Sequence, residues 1–586
     1  MANTEKWDLT DIYADDAGFE ADILRINELA KTINGMQGKL ADVAVLREVL
    51  LADTELSKLL EKAYGYAHLR YDLNHTDAAA QAMHDRAMTV YYAAVEATSF
   101  ILPELTALPD GVTEKALAAY PELADYAHFL DDVTRHKPHV LSKREEQLLT
   151  LAAPALSSMD TAFSMLESAD LDKGTVTDEN GNTVKLTDGE FAKFRESRDR
   201  RVRADAFRAL HEAFAGVGNT VASLYAGQVR ADLFEAKARH YDSCLSRALF
   251  SDRLPESLYS GLIEAVHKSL PAHYRYLELR RKALGVDKLH LYDGYVPLVK
   301  SADDVSYTYA EAKTLVKNYL SPLGTQYGKD LDRLLAGGWV DVYEAPGKET
   351  GAYATGIYGV HPYMLLNFVG KLNDVFTLAH EAGHCMHTYY SDTQPYINKD
   401  YPIFLAEIAS TVNENLLLRG MLADTDDEEK QAYLLNHFID EVRGTIIRQT
   451  MFAEFEWEAH KLAERGEPLT AEVFCKLYHE LLTLYFGPDV EIDPYMDWEW
   501  ARIPHFYRAF YVFKYATGFS AAAAISKKLL ETGEVAPYLA FLHAGGSDYP
   551  LETLKKAGVD LSTPVPVSAA LSEFEDSIEQ LEKLLK

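Results

Sequence analysis

The stretch FTLAHEAGHCMH, Phe376–His387, decides how the rest of the chain is interpreted. It contains an H-E-x-x-H motif in a mostly apolar run without proline, and this pattern predicts a buried helix. Residues four apart lie on one helix face, so His380 and His384 can direct imidazole nitrogens at one metal ion. Glu381 then lies beside the metal, where it can take a proton from a bound water. The motif therefore predicts a hydrolytic zinc centre.

Three other residues of this helix are interpreted from their size and spacing. Gly383 costs a helix on the order of 1 kcal/mol relative to Ala, and a small residue there would allow another segment to approach closely. His387 lies beyond the i, i+4 pair and is interpreted as a histidine that packs or that supports a ligand. Cys385 is interpreted as a small buried residue.

A catalytic zinc site takes three protein ligands and a water, so a third ligand is required. The segment PIFLAEIASTVNENLLLRG, from Pro402, predicts a helix that is mostly buried on one side. Glu407 stands between apolar neighbours, and a buried charge is costly unless it is paired or bound to metal. Glu407 is therefore the predicted third ligand. Glu414 is predicted either to accept the ring N–H of a liganding histidine or to be a solvated helix charge.

These motifs resemble oligoendopeptidase F, a bacterial relative of thimet oligopeptidase. HEAGHCMHTYYSDTQPY and IFLAEIASTVNE resemble the core of that family. The likeness covers nearly the whole chain and includes the segments Trp7–Asp15, Leu270–Val299, Gly351–Phe368 and Ile503–Phe519. The resemblance implies one zinc ion per chain, held by His380, His384 and Glu407, with Glu381 as the general base. It also implies an enclosed substrate channel between two helical halves.

The segment IPHFYRAFYVFKYATGF, Ile503–Phe519, contains candidate donors for the oxyanion that forms during peptide hydrolysis. They are predicted to lie along one helix, with the tyrosines at four-residue steps on one face; the candidates are His505, Tyr507, Tyr511 and Tyr515. Such aromatic stripes usually belong to a core, but the resemblance adds a catalytic role for His505 and one tyrosine. Tyr511 is the first choice, and Tyr507 and Tyr515 are further possible oxyanion or substrate contacts. Phe513 stands where the family often has Tyr, which puts a hydroxyl function at that position in doubt.

Two short strands are predicted before the zinc helix. One is WVDVYEAP after Gly337 and Gly338, and the other is YMLLNFVG, Tyr363–Gly370. We expect them to form a small sheet whose edge strand, assigned to Tyr363–Gly370, pairs with the backbone of a peptide substrate. An ordinary structural sheet is the alternative. Gly351 and Tyr363 are further possible substrate contacts.

Helical periodicity dominates the remainder, so the chain is predicted to be mostly α. Residues 1–195 are predicted to form a helical N-terminal domain, and residues 196–586 a helical, thermolysin-like zinc peptidase domain with a small sheet. Asn180-Gly181 between alternating segments predicts a β-hairpin near residues 174–187. A long helix is expected at about Glu256 to Lys282, and the tail from Ser568 is predicted to be an amphipathic helix that packs against the body.

Composition excludes several classes of partner. The 586 residues carry a formal net charge of −32, which argues against nucleic acids and anionic membranes. This charge either favours neutral or basic peptides or serves only solubility. The three cysteines are widely separated, so no disulfide framework is expected. MANTEKWDL lacks a signal pattern, and no apolar run reaches the roughly 18 residues of a membrane helix. A cytoplasmic location is therefore predicted.

The sequence thus predicts a zinc-dependent endopeptidase that hydrolyses short unstructured oligopeptides. A carboxypeptidase or dipeptidase is one alternative, although no particular Arg or Lys is identified that would fix a substrate terminus. An inactive peptide-binding protein is another, but such a protein has no need for a general base at Glu381. The sequence leaves the oligomeric state, the physiological substrate and the preferred cleavage site open.

Overall fold

The computed structural model describes residues 5–299 and 306–586. Contacts along the chain group it into two compact units. The first comprises Met1–Val140, Asp303–Gly420 and Ile525–Val559, and the second comprises Leu141–Ala302, Met421–Ala524 and Asp560–Lys586. Each unit is built from three separate stretches, whereas the predicted division at residue 195 follows chain order.

Helices dominate, as the sequence predicts. The first stretch of the chain contains α1 (Asp16–Asn34), α2 (Val43–Leu73), α3 (Ala78–Thr98), α4 (Ile101–Thr106), α5 (Val112–Ala119) and α6 (Ala127–Arg135). The three long helices, α1 to α3, pack on one another. Each begins at an aspartate whose carboxylate accepts from a backbone N–H of the first turn: Asp15, Asp42 and Asp77. Local sequence therefore defines where these helices start.

The next stretch, which belongs to the second unit, contains the predicted β-hairpin. Its helices are α7 (Lys143–Leu156), α8 (Ser158–Met165), α9 (Asp188–Phe194), α10 (Arg200–Gly216), α11 (Gly218–Ala238), α12 (Cys244–Phe250) and α13 (Glu256–Leu284). Strands β1 (Thr175–Thr177) and β2 (Thr183–Lys185) pair antiparallel, and Gly181 in their turn has a φ of 84°. Both the hairpin and the long helix from Glu256 are confirmed. A short strand, β3 (Leu289–His290), follows α13.

The chain then contributes the stretch of the first unit that contains the H-E-x-x-H motif. Its elements are α14 (Tyr309–Tyr319), α15 (Gly324–Ala336), β4 (Val340–Asp341), β5 (Tyr353–Thr355), β6 (Tyr363–Leu365), α16 (Leu372–Ser391) and α17 (Ile403–Ala423). The three strands form one sheet in the order β4-β6-β5, parallel between β4 and β6 and antiparallel between β5 and β6. The predicted sheet before α16 is present, and it contains a third strand that the sequence analysis did not predict.

The C-terminal part contains α18 (Glu428–Val442), α19 (Arg448–Glu464), α20 (Ala471–Phe486), β7 (Val490–Glu491), α21 (Phe513–Thr532), α22 (Ala536–Leu542), α23 (Pro550–Lys556) and α24 (Val565–Leu584). The short strand β7 pairs in parallel with β3. As predicted for the tail, α24 packs against α13 and α18 and buries its apolar face, including Leu571, Phe574 and Ile578. Burial of that face stabilises the helix more than its intrinsic propensity does.

Two chemical expectations from the sequence can be compared with the structure. Cys244, Cys385 and Cys475 are all free thiols, which agrees with the expectation that they form no disulfide framework. Across residues 5–299 and 306–586, every helix is too short or too polar to span a bilayer.

Candidate metal centre

Helices α16 and α17 approach each other closely at Gly383, and this approach brings the predicted ligands together. A Cβ atom added to Gly383 would lie 2.5 Å from Cα of Ser410 and 2.6 Å from the carbonyl oxygen of Ala409. The prediction that a small residue permits close approach is therefore confirmed. Asn413 strengthens the contact, because its Nδ2 donates a 3.0 Å hydrogen bond to the carbonyl of Ala379.

The donor atoms of the three predicted ligands form a nearly regular triangle. Nε2 of His380 lies 3.2 Å from Nε2 of His384, and Oε2 of Glu407 lies 3.4 Å from each of these nitrogens. A tetrahedral zinc ion with bonds of about 2.0–2.2 Å separates its donors by about 3.3–3.6 Å. The donor set and its spacing therefore fit zinc, with a fourth position for water or substrate.

Two side chains of α17 orient this triangle. The hydroxyl of Ser410 donates a 3.1 Å hydrogen bond to Oε2 of Glu407. Oε1 of Glu414 lies 3.3 Å from Nδ1 of His380, on the side of the ring opposite the donor triangle. A carboxylate that accepts from Nδ1–H leaves Nε2 as the lone-pair donor and fixes the orientation of the ring. Glu414 thus occupies the position that the first of its two predicted roles requires.

The electrostatics of this site favour a cation. Burial opposes protonation of His380, but hydrogen bonds to Glu407 and Glu414 raise the pKa of the imidazole to about 10. Hydrogen bonds to the two histidines in turn hold the pKa of Glu407 well below its usual range. A divalent cation and protons therefore compete for the same nitrogens, and metal binding at this site depends on pH.

Glu381 lies beside the triangle and is 7% exposed. Burial raises the pKa of its carboxyl group, and the charges of His380 and His384 oppose that rise. A carboxylate whose pKa lies closer to neutrality is a better proton acceptor and donor at neutral pH. The predicted role of Glu381 as general base stays a prediction.

His387 and Cys385 belong to the core of the first unit. The ring of His387 stacks on that of Tyr401, with centroids 3.6 Å apart and planes 3° from parallel. Burial lowers the pKa of His387 to about 3, so this imidazole is neutral at pH 7. These contacts agree with the interpretation of His387 as a packing histidine. Cys385 is fully buried, as expected of a small core residue.

The edge strand beside α16 is not the predicted one. The regular strand within Tyr363–Gly370 is β6, which is paired on both sides. Tyr363 is fully buried, and its hydroxyl donates to the carbonyl of Asp8 at 3.2 Å. The predictions that this segment forms the edge and that Tyr363 contacts substrate are therefore wrong in this conformation. The unpredicted strand β5 pairs antiparallel with the other side of β6, and this pairing makes β6 the central strand.

The edge next to α16 is β5. This strand packs against α16, and a Cβ on Gly356 would lie 2.3 Å from Cγ2 of Thr388 on that helix. Gly351 precedes β5 with a φ of 77°, a left-handed conformation that favours glycine. Gly351 also lines a cavity of about 220 Å³ together with Thr377 of α16. Its predicted contact with substrate stays a prediction.

The tyrosines of the C-terminal segment do not lie along one helix, contrary to the prediction. Pro504–Tyr507 is a single 3₁₀ turn, and α21 begins only at Phe513. Between them, Phe510 has a φ of 55°, which breaks the helical path. Tyr507 is buried and stacks on Phe163 with centroids 4.4 Å apart. Tyr507 is therefore a core residue of the second unit, and its burial contradicts the predicted contact with substrate.

The other three candidates, His505, Tyr511 and Tyr515, lie close together in the second unit, on either side of the kink at Phe510. The rings of His505 and Tyr511 stack with centroids 6.0 Å apart, and Tyr515 lies 5.5 Å from Tyr511. The hydroxyl of Tyr515 lies 3.4 Å from Nε2 of His505. Burial and the charge of a neighbouring arginine lower the pKa of His505, which favours the neutral imidazole. The group is thus a cluster of hydrogen-bond donors, as an oxyanion requires.

Phe513, which stands where the family often has Tyr, lies at the first position of α21 and is buried. Its ring packs against Tyr259 with centroids 5.2 Å apart.

Two features near the site were missed from the sequence. Asn413 was indistinguishable from other polar residues of α17, whereas β5 could have been recognised from the alternating segment between Gly351 and Gly356.

Comparisons with known proteins cover the whole chain. The family model described as Peptidase family M3 matches residues 193–573, and that described as Oligopeptidase F matches residues 104–172. Oligopeptidase PepF of Bacillus subtilis is 41% identical over 99% of this chain and 87% of that protein. Group B oligopeptidase PepB of Streptococcus agalactiae is 38% identical over 99% of this chain and 97% of that protein.

Two crystal structures extend the comparison to the fold. A Chlamydophila abortus protein superposes with a TM-score of 0.94 at 36% identity, over 100% of this chain and 99% of that one. Oligoendopeptidase-F of Enterococcus faecium superposes with a TM-score of 0.75, also at 36% identity, over 97% of this chain and 99% of that one.

Proposed function

Because the chain belongs to peptidase family M3 and is a metallopeptidase of the oligoendopeptidase F type, we propose that it is a zinc-dependent endopeptidase that cleaves short unstructured oligopeptides. The observation that carries this proposal is the donor triangle of His380, His384 and Glu407, with separations of 3.2, 3.4 and 3.4 Å. That spacing matches three corners of a zinc tetrahedron, and a buried carboxylate, Glu381, lies beside it.

The proposed mechanism follows from the chemistry of these side chains. His380, His384 and Glu407 would hold the zinc ion, which supplies Lewis acidity and lowers the pKa of a bound water towards 7. Glu381 accepts a proton from the attacking water and later delivers it to the leaving amine. Glu414 keeps the ring of His380 oriented.

Stabilisation of the oxyanion is assigned to the C-terminal cluster. His505 and Tyr511 are proposed as the donors, because a neutral imidazole N–H and a phenol O–H suit a developing oxyanion. This assignment is supported by their chemistry and by the family resemblance. Tyr515 is retained as a further possible contact, because its hydroxyl lies beside His505.

Peptide binding is assigned to the edge strand β5. An extended peptide that adds to this edge would be held by main-chain hydrogen bonds, which bind peptides without reading their side chains. The net charge of −32 supports a preference for neutral or basic peptides. The enclosed channel and the cytoplasmic location stay predictions, as does the expectation that nucleic acids and membranes are not partners.

The function is tested with an internally quenched peptide that is blocked at both ends. We expect cleavage at internal bonds, loss of cleavage in a strong chelator and recovery on addition of zinc. An exopeptidase would leave the blocked peptide intact but degrade its unblocked counterpart, and an inactive binding protein would retain peptide without cutting it. A stable folded protein is the negative control, and its efficient cleavage would contradict the restriction to short peptides.

A further inference from the structure

A second group of metal-ligand side chains lies in the first unit, apart from the H-E-x-x-H helix. Asp72 is in the last turn of α2, His75 lies just beyond that helix, and Glu349 precedes β5. One ligand atom from each of these three residues lies within 4.8 Å of the other two. His68 adjoins the group, because its Nε2 lies 3.4 Å from Oδ2 of Asp72.

The two carboxylates of this group each pair with an imidazole. The side chain of Asp72 is 4% exposed, and its ion-pair partner is His68. The partner of Glu349 is His75, whose Nε2 lies 3.1 Å from Oε2. Within residues 5–299 and 306–586, neither carboxylate forms an ion pair with Lys or Arg. Two carboxylates drawn together, one of them buried, are costly unless a cation neutralises them.

The histidines of the group contain unused nitrogens. Nδ1 of His75 and Nδ1 of His68 are both buried, and in the described part of the chain neither has a hydrogen-bond partner. A third imidazole is close by, because the ring of His84 lies 5.8 Å from that of His68. Imidazole nitrogens combined with carboxylate oxygens are the ligands of zinc and similar divalent transition metals.

We propose that Asp72, His75 and Glu349 bind a second divalent metal ion, with zinc as the best chemical match, and that this ion fastens α2 to the segment that leads into β5. The protein already joins these two segments at the same place. The backbone N–H of Glu349 donates to the carbonyl of Asp72 at 2.9 Å, and the hydroxyl of Tyr353, on β5, donates to Oδ2 of Asp72 at 2.5 Å. A metal ion here would hold the edge strand against a long helix.

The test separates the two sites by substitution and counts zinc in the full-length protein at buffered free zinc. We expect about two zinc ions per wild-type chain, about one in Glu349→Gln, about one in His380→Ala/His384→Ala, and none when the three substitutions are combined. Glu344→Gln is the matched control, because Glu344 lies exposed in the same loop and has no part in the cluster. This control should keep both ions.

A thermal melt provides a second readout that does not depend on activity. Zinc should raise the Tm of His380→Ala/His384→Ala, and the added Glu349→Gln substitution should abolish that rise. The proposal is overturned if the His380→Ala/His384→Ala protein takes up no zinc, or if Glu349→Gln changes neither the zinc count nor the Tm response. Failure here leaves the proposed peptidase function intact, because that function depends on the other site.

Discussion

Replacement of Gly383 by Ala tests whether the close approach of α16 and α17 builds the metal centre. The added methyl group would lie 2.5 Å from Cα of Ser410, whereas ordinary contact begins at 3.4 Å. The atoms that it meets are backbone atoms of Ala409 and Ser410, which cannot rotate away. The two helices must therefore separate by about 0.9 Å, the difference between these two distances.

The effect on stability is expected to be small, because two contributions oppose each other. Ala in place of Gly favours the helix by about 1 kcal/mol, whereas overpacking costs about 1–3 kcal/mol. The net destabilisation is therefore about 0–2 kcal/mol, which leaves the protein folded. The effect on zinc is larger, because Glu407 moves away from nitrogens that now lie 3.4 Å from its oxygen. We expect zinc affinity to fall on the order of 10- to 100-fold, as when support of a ligand is lost.

Zinc affinity is measured by competition with a chromogenic chelator, and stability by thermal melting of the same samples. Gly328→Ala is the matched control, because Gly328 lies within α15 and a Cβ there meets no atom within 4 Å. This control should gain a few tenths to about 1 kcal/mol in stability and bind zinc normally. If Gly383→Ala retained wild-type zinc affinity and turnover, the close approach would not be what sets the ligand geometry.

Glu381→Gln should keep zinc and fold but lose roughly 10²–10⁴-fold in turnover, since an amide accepts no proton. Burial raises the pKa of Glu381, and catalysis needs its ionised form. The value of kcat/KM should therefore decline as the pH falls through that raised pKa. If the decline occurred only at or below the ordinary pKa range of glutamate, this assignment would be contradicted. Glu407→Ala should lose zinc instead, so unchanged zinc content would reverse the two roles. Glu414→Gln should lower zinc affinity about 10- to 100-fold. If titration with a chelator showed no change in affinity, Glu414 would instead be a solvated helix charge. Tyr511→Phe should reduce turnover about 10²–10³-fold with little change in KM, and a larger effect of Tyr515→Phe would move the oxyanion role to that residue.

The features that the sequence predicts correctly depend mostly on interactions between residues close in the chain. Helices such as α1 follow from periodicity and a capping aspartate, and the hairpin follows from its Asn-Gly turn, because both signals lie within a few residues of the element. The order of the three-stranded sheet was not predicted, because β4 and β5 both precede β6 in the chain and the local sequence does not indicate which side of β6 each strand pairs with. The expected tyrosine helix was wrong for a local reason, the positive φ of Phe510, for which the aromatic residue type gives no indication.

The sequence alone determined that His380 and His384 share one helix face, because the α-helical repeat fixes the relation of residues four apart. It also identified Glu407 as an acidic residue in an apolar helix that required a partner. Only the tertiary structure decided the distance from Glu407 to the two histidines, because that distance is set by the contact of Gly383 with the backbone of α17. Only the tertiary structure, likewise, placed β5 as the edge strand beside α16 and Tyr507 in the core. Residue spacing is a property of one helix, whereas convergence of ligands and exposure of an edge are properties of how helices and strands pack.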